Sequence, residues 1–249
     1  MVMKNTYFIS DAHLGIDLKL SSREREQRLV SFLKSIQSQA KAIFLVGDIF
    51  DHWYEYKNVV PKGFVRLLGT LAELADQGVT ITFIKGNHDM WVYDYFEKEI
   101  GIQPQKEDNL YNIDHKTWYI CHGDGLDPSD KSYLFLKSIL RNPVSQKLYS
   151  MIHPRLGLPL MKRSSSHSRD LAESEVSIRH EKMQKAALKI YQQHNFDFFI
   201  CGHLHAPALV QEQHGYTYCN LGDWLDNFTY GVWDGQEFRL EKYTSFRQS

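Results

Sequence analysis

The residue types best suited to chemistry in this chain are aspartate, asparagine and histidine. They gather in five short clusters: Asp11-Ala12-His13, Gly47-Asp48, Gly86-Asn87-His88-Asp89, His122-Gly123-Asp124 and Gly202-His203-Leu204-His205. Oxygen and imidazole donors in this mixture suit two divalent ions held about 3.5 to 4 Å apart, with one carboxylate able to touch both. Asp48 is the bridging candidate. Asp11 and His13, two apart, converge on one ion only where the chain leaves a strand and turns, and Leu14-Gly15 fits such an exit. His203 and His205 share that spacing and can send one imidazole to each ion. Asn87 offers a neutral carbonyl oxygen, which keeps ligand charge low and the ions Lewis acidic, and His122 completes the second ion. A pair of this kind activates water for in-line attack on phosphorus while the ions and nearby histidines offset the charge growing on the phosphoryl oxygens. Water being the nucleophile, no covalent enzyme intermediate is expected.

Each cluster follows an apolar, β-branched or aromatic run: 7–9, 42–46, 79–84, 118–121 and 198–201. Such runs read as strands, so the donors stand at strand ends. Helical spacing appears between them, with Leu29, Val30, Phe32, Leu33 and Ile36 in one segment and Phe64, Leu67, Leu68, Leu71, Leu74 and Ala75 in another. The alternation predicts a βαβ half-sheet. From Tyr216 the pattern turns to strands, and Asp234-Gly235 predicts a two-residue hairpin turn. The architecture these patterns imply is an α/β sandwich with a second sheet from the C-terminal part.

A lone Asp-x-His or Gly-Asp has little specificity, because a turn aspartate or a core histidine satisfies it. Five clusters in this order, each after a strand, do not arise by accident. The hydrophobic fraction of 43% and charged fraction of 24% belong to a globular protein with a sizeable core, not a disordered one. No run approaches the roughly 18 apolar residues of a membrane span, and no signal-peptide pattern opens the chain, so the expected location is the cytoplasm. Cys121, Cys201 and Cys219 lack CxxC spacing and read as reduced core residues. The region 125–179 breaks the rhythm. Between Lys131 and Arg169 lie eight basic residues and no Asp or Glu, among many large apolar ones. This reads as a basic, amphipathic helical insertion in a core of 1–124 and 180–249. Packing on the core with the cations facing water is one account. A cap suited to a substrate with both phosphate and acyl chains, and to a membrane surface, is the other.

The ordered clusters resemble the calcineurin-like metallophosphoesterases, whose pattern is D-x-H, G-D, G-N-H-[DE], H and G-H-x-H, and the resemblance covers the chain outside the insertion. Within that superfamily, the size, the insertion after the fourth cluster, Gly47-Asp48-Ile49-Phe50 and Gly202-His203-Leu204-His205-Ala206-Pro207 look most like the UDP-2,3-diacylglucosamine hydrolases, pyrophosphatases of lipid A biosynthesis. The resemblance implies a four-layer α/β/β/α sandwich with a helical cap. It also implies two metal ions, manganese, the first held by Asp11, His13, Asp48 and His205 and the second by Asp48, Asn87, His122 and His203. Attack would fall on the α-phosphorus of UDP-2,3-diacylglucosamine, giving UMP and 2,3-diacylglucosamine 1-phosphate, at the inner face of the membrane. The best-known branch carries Arg in the third cluster where this chain has His88. Histidine there is the superfamily pattern, in which it helps protonate the leaving group or stabilise the transition state. Asn87, His88, Asp130 and His203 are the implied substrate contacts, and Ser164, Ser166 and Arg169 are the candidates within the cap.

Other positions stay open. Asp51, His52, Asp89 and Asp124 either orient the ligands or serve ordinary loops. Trp53, Tyr54, Tyr56, Trp91 and Tyr93 either wall a pocket or pack the core. His153, His167, His180, His194 and His214 read as surface or packing residues. Two other functions fit the clusters: another esterase of the superfamily acting on a different phosphate ester, and a non-catalytic scaffold. Nucleic acid is not an expected partner, because the positive charge is local to one insertion.

Overall fold

The computed structural model describes residues 4–105, 109–155 and 173–244. Two sheets lie face to face. The first runs β11-β10-β1-β2-β3-β4, built from β1 Asn5–Ile9, β2 Ala40–Val46, β3 Thr80–Ile84, β4 Pro104–Gln105, β10 Thr229–Trp233 and β11 Phe238–Lys242. The second runs β5-β6-β7-β9-β8, built from β5 Asn109–Ile113, β6 Lys116–Ile120, β7 Phe198–Cys201, β8 Ala208–Gln211 and β9 Thr217–Asn220. Helices α1 Ser22–Ile36 and α2 Val65–Asp76 cross between parallel β1, β2 and β3, as the βαβ reading predicts. The other α-helices among the described residues include α3 Lys131–Arg141, α4 Pro143–Ser150 and α5 Glu173–His194.

Side-chain alternation along the strands explains the layers. In β2, Ile43 and Leu45 face one way, into a core shared with Leu29, Phe32 and Leu33 of α1 and Leu67, Leu71 and Leu74 of α2. Phe44 and Val46 face the other way, onto Trp118, Ile120, Phe198 and Ile200 of the second sheet. Tyr119, Cys121, Phe199 and Cys201 alternate outward again and meet Met183 and Ala187 of α5. The result is the four-layer α/β/β/α sandwich. Between the sheets Trp118 stacks on Phe198 at 3.9 Å and on Phe8 at 5.3 Å, contacts of a kind that add about 0.5–1.5 kcal/mol beyond burial. The three cysteines are free and buried, as expected.

Local signals hold the helices in place. Ser21 and Glu24 form a reciprocal capping box at the start of α1. Buried Glu26 accepts from the backbone N–H groups of Arg66 and Leu67, so a carboxylate of α1 caps the positive end of α2.

Two sequence expectations need correction. The C-terminal hairpin does form, but Trp233 pairs with Phe238, leaving a four-residue loop. Asp234 Oδ1 accepts from the N–H groups of Gln236 and Glu237, and this side-chain turn replaces the two-residue one. Nor does the C-terminal part build the second sheet alone. β10 pairs antiparallel with β1, where Phe238 on β11 meets Phe8 edge-on, so the hairpin closes an edge of the first sheet. Helix α5 packs on the second sheet through Met183 and Ala187.

Candidate metal centre

The five clusters meet at the carboxyl ends of β1, β2, β3, β6 and β7, where loops from both sheets face each other. Pairing continues past the strands. Asp11 N–H donates to Gly47 O at 3.1 Å, His13 N–H to Asp48 O at 2.9 Å, and Gly202 N–H to His122 O at 2.9 Å. Asp11, His13, Asp48, His203 and His205 all have positive φ, between 42° and 70°. This left-handed backbone, which costs a non-glycine residue about 1–3 kcal/mol, is the turn that Asp-x-His and His-x-His spacing requires.

Donor atoms around an ion at a radius of about 2.1 Å stand roughly 3.0–3.4 Å apart. His205 Nε2 lies 3.1 Å from both Asp11 Oδ1 and His13 Nε2, and His13 Nε2 lies 3.6 Å from Asp11 Oδ1. Beside this group, His122 Nε2 lies 3.2 Å from Asp48 Oδ2 and 3.2 Å from Asn87 Oδ1. Asp48 Oδ2 is also 3.7 Å from His13 Nε2 and so stands between the two groups. Asp11 Oδ1 is buried without a hydrogen-bond donor. The donor set, its spacing and this orphaned oxygen fit two divalent cations. His203 stands a step back: its ring centre is 5.3 Å from that of His122, and its backbone N–H donates to Asp11 Oδ2 at 2.9 Å.

The electrostatics point the same way. Burial opposes the charge on Asp11, yet the His205 and His122 imidazoles hold its carboxyl well below the usual range. Burial likewise opposes ionisation of Asp48, and His122 and His88 overcome it. Burial alone would depress His13, but contacts with Asp11 and Asp51 raise it to about 9. His122 is raised well above its ordinary value by Asp48 and Asp11, again against burial. His203 moves the other way, to about 4, through burial and the nearby His122. The cluster of buried carboxylates attracts positive charge, and cations can supply it in place of protons.

Several positions left open by sequence have defined contacts. Asp89, fully buried, accepts from the N–H groups of Gly86, Asp48, Ile49 and Phe50, tying the β2 and β3 loops together. Burial and the neighbouring Asp48 push its carboxyl up to about 7. Asp51 lies 3.4 Å from His13 Nδ1 and accepts through its backbone oxygen from His88 Nδ1 at 2.9 Å. Trp53 is core, whereas Tyr54, Trp91 and Tyr93 grip the cap helices: Tyr54 Oη donates to Gln146 O, Trp91 Nε1 to Leu140 O, and Tyr93 Oη to Gln146 Oε1. Ser10 carried no sequence signal, yet its hydroxyl donates to Asp11 Oδ2 and Val46 O.

A cleft of 590 Å³ opens over the candidate metal-ligand residues. Asn87, His88 and His203 line it, as does Asp130, which also caps α3 through Tyr133 N–H at 3.0 Å. Ser164, Ser166 and Arg169 lie outside the described residues. Sequence reasoning missed Arg179 and Lys182, which line the same cleft from α5. Lys182 is engaged by Asp127 at 2.8 Å, while Arg179 has no polar partner among the described residues. Of the two accounts of the insertion, the one with cations facing water does not describe Lys137 and Arg141 of α3. Lys137 and Arg141 face inward to Asp124, and Phe135, Leu136 and Ile139 are exposed, as are Val144 and Leu148 of α4 and Met151 just beyond it.

Comparison with known proteins agrees with this geometry. The sequence profile of the calcineurin-like phosphoesterases matches residues 4–207. The chain is 37% identical to a UDP-2,3-diacylglucosamine hydrolase of Porphyromonas gingivalis, over 94% of this chain and 96% of that protein. It is 29% identical to the hydrolase of the same name from Neisseria gonorrhoeae, over 91% and 92%. Among solved structures, an archaeal phosphodiesterase shares the fold with a TM-score of 0.50 at 13% identity, covering 95% of this chain and 98% of that one. With five donor clusters converging at the strand ends of a four-layer sandwich, the chain belongs to the calcineurin-like phosphoesterase family.

Proposed function

We propose that this protein hydrolyses the pyrophosphate bond of UDP-2,3-diacylglucosamine to UMP and 2,3-diacylglucosamine 1-phosphate, with two manganese ions, as a step of lipid A biosynthesis. The observation that carries this reading is the convergence of Asp11, His13, Asp48, Asn87, His122 and His205 within coordination distance beside a cleft lined in part by α3 and α5. The named activity of its relatives supplies the substrate. Asp11, His13, Asp48 and His205 would hold one ion, and Asp48, Asn87, His122 and His203 the other. When bound, such ions activate water and offset charge on the phosphoryl oxygens.

The chain's own residues do the rest. Asn87 and His88 line the cleft from the β3 loop, where they would meet the phosphoryl group. His88 is oriented by Nδ1–H donation to Asp51 O, so Nε2 has a proton to give the leaving oxygen only in the doubly protonated ring. A phosphate leaving group asks less of that donor than an alkoxide would. Asp130 and His203 border the sugar side, and residues 125–179 act as the cap. The exposed apolar side chains of α3 and α4 then meet the acyl chains and the inner-membrane surface, where the protein associates peripherally. No helix among the described residues is long and apolar enough to cross a membrane.

Incubation of purified protein and manganese with UDP-2,3-diacylglucosamine is expected to release UMP, with Asn87→Ala as the inactive control. Equal turnover of a soluble phosphodiester or phosphopeptide would favour another substrate. For the membrane part, Phe135→Glu combined with Leu148→Glu is expected to lower co-flotation with anionic vesicles. Unchanged flotation would remove these helices from the contact.

A further inference from the structure

Helix α3 presents a physical problem. It has 11 residues and none is buried, so hydrophobic burial does not hold it over the cleft. A helix shorter than about 12–15 residues is marginal on its own in water. Its far end is attached to the core through Trp91, Tyr54 and Tyr93 at the junction with α4. Its inner face meets one carboxylate. Tyr133, Lys137 and Arg141, four residues apart and therefore on one helix face, all point to Asp124. Tyr133 Oη donates to Asp124 Oδ2 at 2.7 Å, Lys137 Nζ stands 2.6 Å from the same oxygen, and Arg141 Nη2 stands 3.5 Å from it. Lys137 also donates to the Asp124 backbone oxygen at 2.7 Å. The Asp124 side chain is only 2% exposed and follows His122 by two residues, so the helix is fastened to the very loop that carries a metal-ligand candidate.

We propose that Asp124 is a positioning residue that clamps α3 beside the cleft, so that a substrate with a bulky lipid part binds productively while small phosphoesters react without needing the clamp. Asp124 itself does not line the cleft; Tyr133, which it holds, does. Loss of the carboxylate would remove the Tyr133 hydrogen bond and the two ion pairs from this face and loosen α3 beside the cleft. The substrate arm rests on the function proposed above, and the dynamic arm does not.

The test uses full-length, manganese-loaded protein carrying Asp124→Asn or Lys137→Met. Three quantities are read: amide exchange across residues 131–141, KM and kcat for UDP-2,3-diacylglucosamine, and kcat/KM for bis(4-nitrophenyl) phosphate. Exchange in α3 is expected to rise about tenfold or more. KM for the lipid nucleotide is expected to rise about fivefold or more, with the small diester within about twofold of the parent. Unchanged exchange overturns the clamp. So does an equal loss on both substrates, which would place the effect at the metal centre. If the parent protein releases no UMP, the function reading fails, while exchange and the small diester still decide the clamp. Should Asp124→Asn not fold, Lys137→Met and Arg141→Met together carry the same exchange readout.

Discussion

Asp11, His13, Asp48, His203 and His205 do two jobs at once: they present donor atoms, and they adopt left-handed backbone that only glycine takes readily. The donor types were legible as letters. Their backbone was not, because nothing in an Asp or His side chain prescribes positive φ; the packed strand ends impose it. Arg179 illustrates the same limit. Its place in the cleft depends on where α5 docks, and no neighbouring motif marks it. Its guanidinium, with no polar partner among the described residues, is the group expected to take a substrate phosphate. Arg179→Ala is expected to raise KM for UDP-2,3-diacylglucosamine about tenfold with little change in kcat, as for loss of one charge-assisted hydrogen bond. Steady-state kinetics check this, and an unchanged KM would remove Arg179 from the substrate contacts.

Elements were read with greater success than side-chain roles. The runs before each cluster became β1, β2, β3, β6 and β7, and both helical spacings became α1 and α2. Periodicity is local, and it predicted what local burial decides. Sheet membership is a property of pairing between distant segments, so the placement of β10 beside β1 was not legible. Close approach of loops is equally non-local. A Cβ at Gly86 would overlap the Asp48 carboxylate and stand 2.5 Å from the Asp48 nitrogen. Gly86→Ala is therefore expected to displace Asp48, destabilise the protein by about 1–3 kcal/mol and lower bound manganese. Thermal unfolding and metal analysis test this; full metal content in a stable variant would mean that the β2 loop relocates freely.

At the scale of the molecule, two sheets and two helical layers bury five carboxylates, Asp11, Asp48, Asp51, Asp89 and Asp124, in one region. Lys137 and Arg141 balance Asp124, and protons or metal ions must balance the rest. For the metal-free protein, His13 is raised from 6.5 to about 9 by Asp11 and Asp51 against burial. The stability contributed by its charged form is full below pH 6.5 and is lost as pH rises through about 9. Asp11 and Asp48 are shifted downward, so their contribution is present at neutral pH and is lost on acidification. Metal binding must displace the proton on His13, so the rise in unfolding temperature produced by manganese is expected to grow between pH 6.5 and 9, with protons released on binding. Thermal scans with and without metal, and calorimetry in buffers of different ionisation enthalpy, check it. A pH-independent increment without proton release would contradict the assignment of His13 as a ligand.

By itself the sequence determined the donor inventory, the strand before each donor cluster, the two crossover helices and the family they imply, because each is written in neighbouring residues and their spacing. Only the tertiary structure decided that Lys137 and Arg141 turn inward to Asp124 while Phe135 and Leu148 face out, that Arg179 reaches the cleft, and that Asp89 ties two loops together. A helix carries polar and apolar side chains on fixed faces, but which face meets the core depends on what the rest of the fold places beneath it. Here that is a buried carboxylate next to a metal-ligand candidate.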